Sequence, residues 1–237
     1  MGRRRLPLAA AIVALGFAAP LTAQAPEQAP PRFQAGGALA IAKPVGDFGE
    51  VVDIGVGLGG HFIFFVTPGG AFSLRVDAGF LNYGNETQRV CLSTTVGCRI
   101  EVDLTTSNNI VHGTIGPQLM VPRGPIRPYA NGGIGFSYFA TTSSVEGSSN
   151  NDPFASTTNF DDAAFSWAAG GGLYIPIRVS ATADLAIDLG ARYIGTREIE
   201  YLREGDIRDL PDGSIEFTPR RSDGNLINFL LGVSVRF

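Results

Sequence analysis

The sequence predicts an all-β chain, an eight-stranded antiparallel up-and-down barrel that crosses a membrane. Three observations lead there. An export leader opens the chain, apolar and polar residues alternate along eight segments, and short turns alternate with long polar connections between those segments.

Composition narrows the class first. The 237 residues are 44% hydrophobic and only 17% charged, with 31 glycines and two cysteines, which excludes a disordered chain, a coiled coil and a disulfide-dense mini-domain. Eighteen basic residues stand against 22 acids, a net charge of −4, and no basic cluster follows the first five residues, so no nucleic-acid partner is expected.

Residues 1–25 read as a cleaved signal peptide. Arg3, Arg4 and Arg5 precede an apolar run from Leu6 to Ala19, and Ala23-Gln24-Ala25 or Leu21-Thr22-Ala23 fits the cleavage site. The run is shorter than the roughly 20 residues of a spanning helix. Losing three arginines and no acid takes the remaining chain from −4 to −7. Residues 26–32 form a Pro-rich periplasmic lead-in, and 33–237 form the barrel.

The period-2 segments fall at about 33–42, 52–65, 71–83, 104–121, 128–142, 161–176, 182–196 and 224–237. The last is the clearest: Ile227, Phe229, Leu231, Val233, Val235 and Phe237 share one face. Turns at 67–70, 122–127 and 177–181 are short and rich in Gly, Pro or Ser, whereas 43–51, 84–103, 143–160 and 197–223 are long and polar. Short periplasmic turns and long extracellular loops describe an outer-membrane barrel of a Gram-negative-type bacterium.

A soluble lipocalin-like barrel would turn its apolar face inward around a hydrophobic ligand. Export, and about five apolar residues per strand on one face, favour lipid outside instead. The opposite face then lines a narrow lumen, where charges must pair. Arg75, Arg192 and Arg236 against Asp77, Asp184 and Asp188 are the expected lumen ionic network. Gly55, Gly57, Gly59, Gly133, Gly135, Gly170 and Gly172 leave room for them. Aromatic girdles are expected from Phe33, Phe64, Phe72, Tyr174 and Phe237 at the short-turn end, and from Phe80, Tyr83, Tyr138 and Tyr193 at the other.

With Asn225 to Phe237 as its final alternating strand, the chain resembles the small eight-stranded outer-membrane barrels of the OmpA-like and OmpX-like families. The resemblance implies an assembly signal in Phe229, Leu231, Val233, Val235 and Phe237, read by the barrel assembly machinery. It implies a lipid and lipopolysaccharide environment. It also implies variation of role carried by the loops: structural barrels, adhesion or complement-resistance proteins, and lipid-modifying enzymes.

The loops and histidines are the remaining candidates. Cys91 and Cys98 share one loop, and an oxidising periplasm favours a disulfide between them. Loop 197–223 holds eight acids and five arginines and extends as a hairpin around Pro211-Asp212-Gly213. An extracellular ligand is expected through loops 84–103 and 197–223. His112-Gly113-Thr114 is a loose echo of the His-x-Ser pair of lipid A deacylases, but it faces inward, as does His61, and no acid orients the ring. No metal or cofactor motif is present. The reading is a non-enzymatic barrel with a structural or surface-binding role. A soluble carrier, a lipid A-modifying enzyme and a narrow channel are its alternatives.

Overall fold

The computed structural model describes residues 31–91, 101–147, 150–179, 183–202, 206–209 and 215–237. The expected signal peptide (1–25) and most of the expected lead-in (26–32) lie outside these residues, as does Cys98. Eight strands close the barrel: β1 (Phe33–Pro44), β2 (Gly55–Phe65), β3 (Phe72–Cys91), β4 (Glu101–Met120), β5 (Arg127–Gly147), β6 (Asn150–Val179), β7 (Asp184–Thr196) and the final β12 (Leu226–Arg236). Every neighbouring pair is antiparallel. β1 pairs with β2 on one side and β12 on the other, from Gln34 opposite Arg236 to Pro44 opposite Leu226. That pairing leaves no sheet edge within the ring, the condition for a sheet to lie in hydrocarbon.

Side-chain parity sets inside and outside. On β3, Phe72, Leu74, Val76 and Phe80 are exposed, whereas Ser73, Arg75, Asp77 and Leu81 are buried. On β12, Phe229, Leu231, Val233 and Val235 face outward, whereas Asn228, Ser234 and Arg236 are buried. The barrel therefore wears a continuous apolar face outside and keeps the charged Arg75, Asp77 and Arg236 of these strands inside, the inverse of a soluble carrier.

The lumen is filled in three layers. Phe48, Leu81, Ile110, Phe139, Ile194 and Leu226 belong to an apolar cluster under the extracellular mouth. Ile63, Phe65, Met120, Tyr129, Tyr174 and Ala186 form a second cluster toward the periplasm. Arg75, Asp77, His61, Asp188, Arg192 and His112 lie between them.

Three features depart from the expected strand map. First, much of the expected loops 84–103 and 143–160 is strand, because β3 to β6 run on well past the ring. Serines, threonines and asparagines carry this ladder through cross-strand bonds: Thr87 to Thr105 at 3.1 Å, Thr106 to Ser143 at 2.9 Å, and Asn159 Nδ2 to Ser143 Oγ at 2.6 Å. Such residues show no apolar alternation, so periodicity cannot reveal them.

Second, connection 43–51 contains a one-turn helix, α1 (Asp47–Val51), after Gly46 at φ 66°. The left-handed glycine reverses the chain, and Phe48 of α1 is fully buried beneath the mouth. Third, the last connection carries β8 (Glu198–Tyr201) paired with β11 (Arg220–Asp223), and β9 (Ile207–Asp209) paired with β10 (Ile215–Phe217). The expected turn at Pro211-Asp212-Gly213 lies outside the described residues.

Two expected girdle aromatics point inward. Tyr174 is buried at 2% exposure, its hydroxyl accepting from Arg75. Tyr83 sits at a register shift between Asn82 and Gly84, and its hydroxyl donates to the Leu202 carbonyl at 3.3 Å. An added bulge residue breaks simple alternation, which is why residue type alone misplaced it.

Candidate functional site

Two regions carry chemistry: the polar middle of the lumen and the extracellular sheet. In the lumen, Asp77 of β3 is the hub. Its Oδ1 accepts from Arg75 Nε at 2.8 Å and its Oδ2 meets Arg192 Nη1 at 2.7 Å. Arg75 also donates through Nη1 to Gln118 Oε1 at 2.9 Å and to Tyr174 Oη at 3.0 Å. Arg192 Nη2 donates to Thr114 Oγ1 at 3.1 Å. Tyr129 donates to Asp188 Oδ1 at 2.8 Å and stacks on Tyr174 at 4.5 Å between centroids. One carboxylate serving two guanidiniums, each with further acceptors, is the arrangement that offsets the desolvation of buried charge.

Sequence parity brought these residues to one lumen, but the pairing differs from a single network of six. Asp188 holds a tyrosine rather than an arginine, and His61 Nδ1 stands 3.7 Å from its Oδ2. Asp184 pairs with Arg127 at 3.3 Å near the periplasmic rim. Arg236 lies over the Phe65 ring, 4.3 Å from its centroid. The reason is depth: Asp184 and Arg236 are cross-strand partners at the strand ends, two turns of alternation below Asp188. Tyr129, Tyr174, Gln118 and Thr114 were missed as network members, although each has inward parity on its strand. Their inward parity is written in the sequence, but a neutral polar side chain does not reveal which charge it serves.

Glycine placement follows the same logic. A Cβ on Gly172 would come within 2.6 Å of Tyr129 Oη, and one on Gly170 within 2.6 Å of Arg192 Cγ. The remaining space beside His61, His112, Asp77 and Arg192 is a void of about 20 Å³, room for about one water. All four residues line it, and His61 Nε2, His112 Nδ1 and Arg192 Nε have no protein hydrogen-bond partner among the described residues.

The extracellular sheet is the second region. β2 pairs with β3 only as far as Asn82, and β7 pairs with β6 only from Ser166 downward. Above those points β3, β4, β5 and β6 form a four-stranded extension that stands free of the ring. Cys91 ends β3 opposite Glu101, at the base of the segment that holds Cys98. Beside the extension, Asp161, Asp162, Glu198, Glu200 and Arg221 line one open groove, in which Arg221 pairs with Glu198 at 2.7 Å. Asp162 Oδ2 accepts the Glu200 N–H at 2.9 Å, tying β6 to β8.

A family model described as "Outer membrane protein beta-barrel domain" matches residues 9–237. The chain belongs to that family. Its place is therefore the outer membrane, in a lipid environment, and its outward apolar belt is lipid-facing. Among solved structures, the barrel is similar to Ail of Yersinia pestis, solved with the heparin analogue sucrose octasulfate, at 10% identity and a TM-score of 0.47, covering 88% of this chain and 99% of that one. It is similar to OprG of Pseudomonas aeruginosa at 13% identity and a TM-score of 0.49, covering 89% and 97%. Neisserial surface protein A matches at 9% identity and a TM-score of 0.45, covering 86% and 96%. No curated protein matches the sequence.

Proposed function

We propose that this is a non-enzymatic surface-binding barrel whose extracellular extension takes an extended segment of a partner protein. The observation that carries this reading is the open edge. Asn85–Cys91 of β3 pairs with β4 and with no other described strand, so one side of its backbone has no strand partner among the described residues. An unpaired edge outside the membrane is a template for strand addition. Acids dominate the neighbouring patch, which disfavours a polyanionic ligand. Supporting the absence of catalysis, His112 and Thr114 are buried in the lumen, and Thr114 is engaged by Arg192. The filled lumen likewise supports a role at the surface rather than conduction.

The test trims the extension, joining Glu86 to Thr106 through Asn-Gly, and compares binding of displaying cells to immobilised serum and matrix proteins. Binding by the full barrel and its loss on trimming, with the boiled-versus-unboiled gel shift kept, is the expected result. Equal binding by both would overturn the reading.

Three subsidiary proposals attach to the same barrel. Cys91 and Cys98 form a disulfide that stiffens the tip of the extension, seen as protection from thiol labelling until reductant is added. The outward row Phe229, Leu231, Val233, Val235 and Phe237 serves as the assembly signal, so that removing Phe237 lowers outer-membrane recovery. Acids of the last loop contact lipopolysaccharide through divalent cations.

A further inference from the structure

The two ends of the barrel carry opposite charge. At the periplasmic end the described ionisable side chains are Arg32, Arg123, Arg127, Arg178, Arg236 and Asp184. Asp184 holds Arg127 at 3.3 Å, and Arg236 is spent on the Phe65 ring. Arg32, Arg123 and Arg178 are exposed, and none of their guanidinium groups has a hydrogen bond or ion pair among the described residues.

The position of Arg178 is built. Inward parity on β6 runs through Ser166, Ala168 and Tyr174, so plain alternation would aim Arg178 into the lumen. The ladder to β7 shifts register between Pro176 and Arg178. Arg178 consequently stands opposite Leu185, whose parity on β7 is outward, and it is exposed, as are its chain neighbours Ile177 and Val179. A bulge re-aims a side chain in this way, and a guanidinium on an apolar wall marks the limit of the hydrocarbon. Arg32 adjoins Phe33, whose ring lies 5.7 Å from Phe62, 5.7 Å from Phe64 and 6.2 Å from Phe237. Such an aromatic cluster sits at headgroup level. Arg123 occupies the turn between β4 and β5. Across the closed strand order, the three arginines are distributed around the rim rather than clustered.

We propose that Arg32, Arg123 and Arg178 form a collar that binds anionic phospholipid headgroups of the periplasmic leaflet. A free guanidinium presents paired donors to a phosphate, and basic residues at a bilayer surface concentrate anionic lipid. The acids at the other end repel the same lipid, so the selectivity belongs to one leaflet.

The test uses the full barrel refolded in phosphatidylcholine vesicles containing traces of brominated lipid, which quenches tryptophan on contact. One reporter is Ile126→Trp in a Trp167→Phe background, beside Arg123 on the periplasmic side. The other is native Trp167, outward in the extracellular half. Brominated phosphatidylglycerol should quench the Ile126→Trp reporter about twofold or more better than brominated phosphatidylcholine does, and should quench Trp167 no better than brominated phosphatidylcholine does. The triple variant R32Q/R123Q/R178Q should abolish the preference, and so should high salt. Equal quenching by the two lipids at the periplasmic reporter would overturn the collar. So would a preference that survives the triple substitution or, if that variant fails to fold, one that survives high salt in the unsubstituted collar.

Discussion

Among the described residues Asp77 alone forms ion pairs with both Arg75 and Arg192. Asp77→Ala leaves two buried guanidiniums without their carboxylate, and removing one partner of a buried pair costs about 3–5 kcal/mol. Asp188→Asn removes a charge-assisted bond from Tyr129 alone, and its cost should be nearer 2 kcal/mol. Urea unfolding of both variants in the same vesicles checks the order; equal losses would show that the two carboxylates carry the same load. Gly79 lies against the His112 ring, so a Cβ there has no free space. Gly79→Ala should destabilise by about 1–3 kcal/mol through overpacking, read in the same titration.

At the scale of elements, α1 is the piece whose role is most local. Its Phe48 meets Tyr83, Phe139 and Tyr201 edge-on at 5.6, 5.7 and 4.9 Å. Phe48→Ala should cost about 3–5 kcal/mol of local stability. The ring of strands below does not depend on α1, so the expected signature is faster proteolytic cleavage within 43–54 with an unchanged gel-mobility shift. The stretches of β3 to β6 beyond the ring lie at the other extreme. Surface ion pairs such as Arg89–Asp103 at 3.1 Å add little there, and hydroxyl and amide ladders hold the extension together.

For the whole molecule, closure and filling act together. A ladder without edges opens only by breaking a complete row of backbone bonds, so folded and boiled samples should migrate differently on gels. Two apolar clusters with an ion-paired layer between them leave no open path, and an eight-stranded barrel is only wide enough for its own side chains. Planar bilayers containing the protein should show no discrete conductance steps. Phe48→Ala should not create them, because the Arg75–Asp77–Arg192 layer still blocks the bore.

Strand number, the direction of the apolar face and the location were legible in the sequence, because period-2 patterning records a hydrophobic exterior residue by residue. Val233 and Ser234 declare their faces without any knowledge of their neighbours. Which lumen charges meet was not legible. Parity says only that Asp77, Asp188 and Arg192 point inward; register and depth decide that Arg192 reaches Asp77 and that Asp188 is left to Tyr129. The free extension and the outward turn of Arg178 were hidden for related reasons. A polar ladder has no hydrophobic period, and a bulge cancels the parity on which the reading depends. Pairing across strands is a property of the closed sheet, so tertiary structure alone could assign it.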